Sequence, residues 1–185
     1  MAEHHGWRTA AVFTSEQQEA AMVRQGAGLS DVSWMTKLDL KGSGLNALPA
    51  LDERARSWSL GPNHFLVTCD PDILPAISSS PGVWVTDVTS VFAQFLLAGP
   101  ASRDVLRKLT SLNVSEKALP DSGCGQASLA HVRAIILRRD LGPLPAFHLL
   151  VSREYGESVW DSVLHAGQEF RITQFGLKAL EILES

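Results

Sequence analysis

Two stretches of this chain carry the same order of signals, and that repetition constrains the fold more than any other feature. Asp31-Val32-Ser33 precedes the alternating run Trp34 to Lys41 and then Gly42. Asp87-Val88-Thr89 precedes an apolar run that ends in Ala98-Gly99-Pro100. Each copy reads as an aspartate turn, a strand, and a glycine that opens a helix. Two related halves, 1–80 and 81–185, packed as one unit are therefore expected, with the boundary at Ser78-Ser79-Ser80-Pro81-Gly82. The repeated aspartates are expected to accept backbone N–H bonds in their turns. Catalysis by both would need two active sites.

A chain of 185 residues, 45% hydrophobic and 19% charged, has room for a real core without staples. Its net charge of -4 comes with no basic block, which excludes an electrostatic nucleic-acid footprint. No apolar run approaches the roughly 20 residues that span a bilayer, and no apolar signal core follows Met1. Cys69 and Cys124 suit a reducing compartment. A cytoplasmic protein, bound neither to nucleic acid nor to membrane, is expected.

The order of elements predicts α+β. Ser15 caps a helix to Gln25, with Gln18 at the capping-box position. A strand runs from Asp31 to Leu40, with Lys37, Asp39 and Lys41 on a face toward water. A short helix follows Gly44. Strands Ala55 to Leu60 and His64 to Thr68 flank Gly61-Pro62-Asn63, and a helix covers Asp70 to Ile77. In the second half, a strand or strand pair covers Val83 to Leu97 and a helix Ala101 to Leu109. Three strands then lie near 126–130, 133–138 and 147–151. An amphipathic helix over 153–166 and a last short helix over 173–183 close the chain.

Chemistry-bearing residues are sparse. His4 and His5 lie in a terminus expected to be loose, and His64, His131, His148 and His165 are scattered singly. No i, i+4 histidine pair or C-x-x-C motif is present, so no metal site is expected. There is no G-x-S-x-G, and Gly42-Ser43-Gly44 lacks both the third glycine of a dinucleotide loop and the lysine of a P-loop. Cys124 between two glycines is the most exposed-looking thiol, with no cation beside it to activate it. Five tryptophans are many for this length. Trp58, Trp84 and Trp160 read as core. Trp34-Met35 does not, because two adjacent strand residues face opposite ways. An aromatic face there suits stacking on a flat heterocycle or a partner surface.

Several segments resemble the folate-binding aminomethyltransferases, the T-protein family of glycine cleavage. They are Gly28 to Met35 with Lys37 to Gly42, Asn63-His64-Phe65-Leu66-Val67, Asp87 through Pro100, Trp160 with Leu164, and Phe175 to Glu181. The matches are thinly spread but in the family's order over most of the chain. There are departures. The glycine-rich segment that carries the family's catalytic carboxylate has no match between Gly42 and Gly61. His148 stands where an acidic residue is usual, and Leu180 where an arginine is. The chain also stops at Ser185, without the family's C-terminal barrel domain.

In size and pattern the chain is similar to the small gamma subunits of heterotetrameric sarcosine oxidases. That resemblance implies a non-catalytic subunit of a methylated-amine demethylating oxidoreductase, partnered by larger subunits in a hetero-oligomer. Its part would be assembly, or helping to hold a tetrahydrofolate that traps formaldehyde. By matched position, Trp34 and Met35 would meet the folate ring, with Arg138 or His148 nearer the polar end. Two alternatives remain at this stage. One is a stand-alone tetrahydrofolate-dependent methyl- or aminomethyltransferase using Asp31, Asp52 or Asp87. The other is a scaffold with a dead pocket.

Overall fold

The computed structural model describes residues 1–43, 55–71 and 82–185. The expected helices after Gly44 and from Asp70 to Ile77, and the boundary at Ser78 to Pro81, lie wholly or largely outside them. What is described is a mixed helix and strand architecture.

The N-terminus is not a loose lead-in. Strand β1 (Ala2–His4) pairs with β2 (Trp7–Thr9) across His5-Gly6. Both turn residues have positive φ, 50° and 77°, the geometry of a two-residue turn that matches strand twist. Helix α1 (Glu16–Gln25) begins where expected. Ser15 is extended, and its Oγ accepts the N–H of Gln18 at 3.2 Å. Ser15→Ala should lower unfolding free energy by about 1 kcal/mol, measured by urea denaturation.

The single strand expected from Asp31 to Leu40 is two strands in two sheets. Strand β3 (Gly28–Asp31) belongs to a six-stranded sheet and β4 (Thr36–Lys41) to a four-stranded one. The cause is the Asp31 turn, where Oδ1 accepts the N–H of Ser33 at 2.9 Å and redirects the chain. Its counterpart behaves alike: Asp87 Oδ1 accepts the N–H of Thr89 at 2.8 Å. Both repeated aspartates hold turns, as expected.

Strands β5 (Arg56–Gly61) and β6 (His64–Cys69) form the expected hairpin, and β7 (Trp84–Asp87) is the far edge of the four-stranded sheet, ordered β5-β6-β4-β7. Trp84 is exposed on that edge, not in a core. Strand β8 (Phe92–Ala98) then leads through Gly99 into helix α2 (Ser102–Arg107). Gly99 has φ +111°, and a Cβ there would lie 2.5 Å from the Val23 carbonyl oxygen, so only glycine fits. Strands β9 (Cys124–Leu129), β10 (Val132–Arg138) and β11 (Ala146–Ser152) follow, then helix α3 (Gly156–Gly167), β12 (Thr173–Gln174) and helix α4 (Leu177–Glu184). The six-stranded order is β12-β3-β8-β11-β10-β9, so strands from both sides of residue 80 share each large sheet.

Alternation along β8 and β11 divides the interior. Phe95, Leu97, Phe147, Leu149 and Val151 pack with Val105 and Leu106 of α2 and Val159 and Val163 of α3. Leu96, Ala98 and Ala146 face the other way, onto Ala20 and Val23 of α1 and Ala179, Leu180 and Leu183 of α4. Further along that second face, Leu137 and Leu150 pack with Trp58 and Leu66 of the four-stranded sheet. Strand residues Leu96 and His148, paired in register, lie on this face.

Candidate functional site

A cavity of about 550 Å3 opens on that second face. Its walls come from the turn after β3 (Val32, Trp34, Met35), from Leu96 and His148 of the sheet, and from α4 (Leu177, Leu180, Glu181, Glu184). The loop Arg139 to Gly142, the hairpin residues His4 and His5, and Asp70 complete it.

The turn is pinned from three sides. Asp31 holds the Ser33 N–H. Gln94 of β8 accepts the Val32 N–H at 2.9 Å, and its own N–H donates to Ser33 Oγ at 3.0 Å. Lys37 reaches back and donates from Nζ to the carbonyls of Ser33 at 3.0 Å and Met35 at 2.6 Å. Lys37 is 0% exposed, which corrects its expected place on a water face. Residues 37, 39 and 41 do share a face, but burial falls off along it. Asp39 is half-buried and bonded to His64, and Lys41 is exposed. Burial first, then the nearby Arg153, pushes the Lys37 ammonium down to about 7, against the pull of Asp31 and Asp87.

Because Trp34 and Met35 sit in a turn, the alternation argument fails and both are buried. His4 meets the Trp34 ring edge-on at 4.3 Å, and His5 stacks on it at 5.6 Å with 24° between planes. The terminal histidines are thus part of the wall. His4 is held below its usual range, by burial first and then by His5. Trp34 Nε1 is buried and has no hydrogen-bond partner among the described residues.

Three of the four expected site residues therefore meet: Trp34, Met35 and His148. Arg138 does not line the cavity. Its guanidinium grips Asp140 with Nε at 2.9 Å and Nη2 at 2.6 Å, and Nη1 donates to the Leu119 carbonyl. Asp140 in turn accepts the Ala146 N–H at 3.2 Å. Arg138 thus shapes the loop, and its neighbour Arg139 is the arginine at the cavity. Arg139 lies just past the end of β10, and a one-residue step there turns the side chain another way, which composition and order do not reveal.

His148 is buried, and its imidazole is pushed down to about 3, by burial first and then by Arg139 and Lys37. It is neutral at any ordinary pH. At the mouth, burial and the neighbouring Asp70 and Glu181 raise the Glu184 carboxyl, opposed by Arg139. Cys124 lies elsewhere, its Sγ donating to the Ser59 carbonyl, and burial raises its thiol, so it is not activated. No group of three or more His, Cys, Asp or Glu able to hold a metal occurs among the described residues. None of their helices is long and apolar enough to cross a membrane.

Known proteins share this fold. The chain is 26% identical to sarcosine oxidase subunit alpha of Rhizobium meliloti (strain 1021) over 91% of its own length and 21% of that subunit. It is 27% identical to an aminomethyltransferase of Geobacillus thermodenitrificans (strain NG80-2), over 98% of this chain and 58% of that enzyme. The chain therefore spans about a fifth of the first relative and just over half of the second. Among solved structures, glycine cleavage system aminomethyltransferase T from Bartonella henselae superposes on 99% of this chain and 57% of its own, with TM-score 0.78 and 17% identity. A chain of heterotetrameric sarcosine oxidase from Corynebacterium sp. U-96, in complex with pyrrole 2-carboxylate, superposes with TM-score 0.67 and 20% identity. That match takes in 84% of this chain and 92% of the other. Residues 58–184 match the family described as the GCVT N-terminal domain. That match takes in more than half of the chain, which therefore belongs to the GCVT N-terminal domain family.

Proposed function

We propose that this chain is a small subunit of a methylated-amine demethylating oxidoreductase, and that its cavity holds tetrahydrofolate beside the larger, catalytic subunits. One observation carries the subunit reading. The match to a chain of heterotetrameric sarcosine oxidase takes in 92% of that chain, which supports reading a chain of this size as one subunit of such an oxidase. A cytoplasmic location is part of the proposal, supported by cysteines that suit a reducing compartment.

The residues present fit a folate. The volume is within the roughly 300–1,000 Å3 of small-molecule sites. Val32, Met35, Leu96, Leu141, Leu177 and Leu180 give apolar walls for a flat ring. The neutral His148, on the cavity wall, is a polar group available to its heteroatoms. Arg139 is the cation for the tail carboxylates, which the acids Asp70, Glu181 and Glu184 would keep from the rest of the mouth. Bound tetrahydrofolate would supply the amine nitrogens that take up formaldehyde, with loss of water. The protein's own residues bind and orient it. Holding the acceptor beside the oxidase raises its effective concentration, so the product is met before it diffuses away.

Native mass spectrometry on the complex purified from its host tests the reading. Larger chains at fixed stoichiometry with a folate-sized mass support it, whereas a bare monomer overturns it. For the ring, Trp34→Ala should weaken tetrahydrofolate binding about 30-fold by calorimetry, through lost stacking and wall area. Unchanged affinity would remove Trp34 from the site.

A further inference from the structure

We infer that Gln94 is a positioning residue: it fixes the ring proton of His148 on Nε2, so that the cavity floor offers an N–H donor to an acceptor atom of the ligand. This rests on the cavity being the ligand site proposed above.

Gln94 sits on β8 and is 0% exposed. Its amide nitrogen lies 3.0 Å from His148 Nδ1 and 3.6 Å from Met35 Sδ. An amide nitrogen only donates, and its two hydrogens meet these two acceptors. His148 Nδ1 must therefore be the bare nitrogen, and the proton of the neutral ring sits on Nε2. The opposite amide orientation would set Oε1 against the Met35 sulfur, acceptor against acceptor. With the amide nitrogen on these two acceptors, the group left over is Oε1, which has no partner among the described residues.

A positively charged His148 is disfavoured for the same reason. It would need a second N–H on Nδ1, pointing at the Gln94 amide hydrogens. Burial and the nearby Arg139 and Lys37 act in the same direction. Nδ1 being engaged, Nε2–H is the ring's free polar group, on a residue that lines the cavity. The Gln94 backbone also holds the Trp34–Met35 turn through Val32 and Ser33. One residue thereby sets both the ring wall and the polar floor. A ligand edge that presents a carbonyl oxygen or a bare ring nitrogen suits this floor. An edge that presents only N–H groups does not.

The test is the protonation state of the His148 ring in solution, read from long-range 1H–15N correlations on the 15N-labelled protein. A neutral ring with its proton on Nε2 is expected. A proton on Nδ1 overturns the inference, whatever the protein binds. Gln94→Glu offers an acceptor to Nδ1, so it should move the proton there and weaken tetrahydrofolate binding about tenfold. Gln94→Leu keeps the volume and should release the ring to a mixture of tautomers, a change that a packing role would not produce. Tautomers unmoved in both variants overturn the inference. If either variant fails to fold, the wild-type spectrum alone decides. Absence of tetrahydrofolate binding by the wild-type protein would overturn the proposed function, and the ring proton would still be judged by its own spectrum.

Discussion

Glu19→Ala is expected to destabilise the protein by about 4 kcal/mol, because three backbone N–H groups would lose a buried carboxylate. Glu19 lies in the first turns of α1 and is 1% exposed. Its Oε1 accepts the N–H groups of Phe13 at 2.7 Å and Thr14 at 2.6 Å, and Oε2 accepts that of Gly176 at 2.9 Å. Bonds to a charged acceptor are stronger than neutral ones, and a buried donor left alone costs about 1–3 kcal/mol. The loss reaches the cavity as well. Gly176 immediately precedes α4, whose Leu177, Leu180, Glu181 and Glu184 line the wall. Glu19→Gln keeps one acceptor oxygen and should cost about half as much. Urea denaturation at neutral pH measures both. A loss below about 1 kcal/mol for Glu19→Ala would mean that water replaces the carboxylate.

Local chemistry with a fixed offset was legible in the sequence. Ser15 and Gln18 mark a helix start, and Asp31 and Asp87 mark turns two residues long, because each motif needs only its own neighbours. The hairpin at Gly61-Pro62-Asn63 and the amphipathic helix around Val159 and Val163 are legible for the same reason. What needs partners from afar was not. Glu19 reads from sequence as an ordinary first-turn acid, and nothing local announces donors at Phe13 and Gly176. The first hairpin has strands of three residues, too short for a period, and its turn carries His-Gly instead of the usual Asn-Gly. That hairpin brings His4 and His5 onto Trp34, so two residues assigned to a loose end line the cavity. Of the residues the resemblance points to, Trp34, Met35 and His148 line the cavity, while Arg138 lies beside it and Arg139 is the arginine on its wall. The resemblance gave no hint of Gln94, a polar residue inside an apolar run whose use appears only when β8 and β11 pair.

Lys37 shows most sharply how burial changes a residue's meaning, and it gives the second large effect. As a surface lysine it would titrate near 10.5, but inside the fold it does so at about 7. Between those values the unfolded chain holds a proton that the folded chain has released. Folding is therefore coupled to proton loss, and stability rises with pH across that window. Below it both states carry the proton, and the cost of burying the charge is felt in full. The neutral amine has two N–H groups, and the carbonyls of Ser33 and Met35 take both. The ammonium brings a third, with a charge facing Arg153. Lys37→Met removes the titration and leaves other groups in place. The stability of the wild-type protein relative to Lys37→Met should then rise by about 2 kcal/mol from pH 7 to pH 9, and stay flat from pH 5 to pH 6. Parallel curves over the whole range would mean that Lys37 keeps its charge through water or a shift of the turn. The same variant unpins the carbonyls on either side of Trp34, so tetrahydrofolate affinity should fall even where stability does not. A lysine that costs stability at neutral pH and holds the aromatic wall in place fits a binding site better than a mere core.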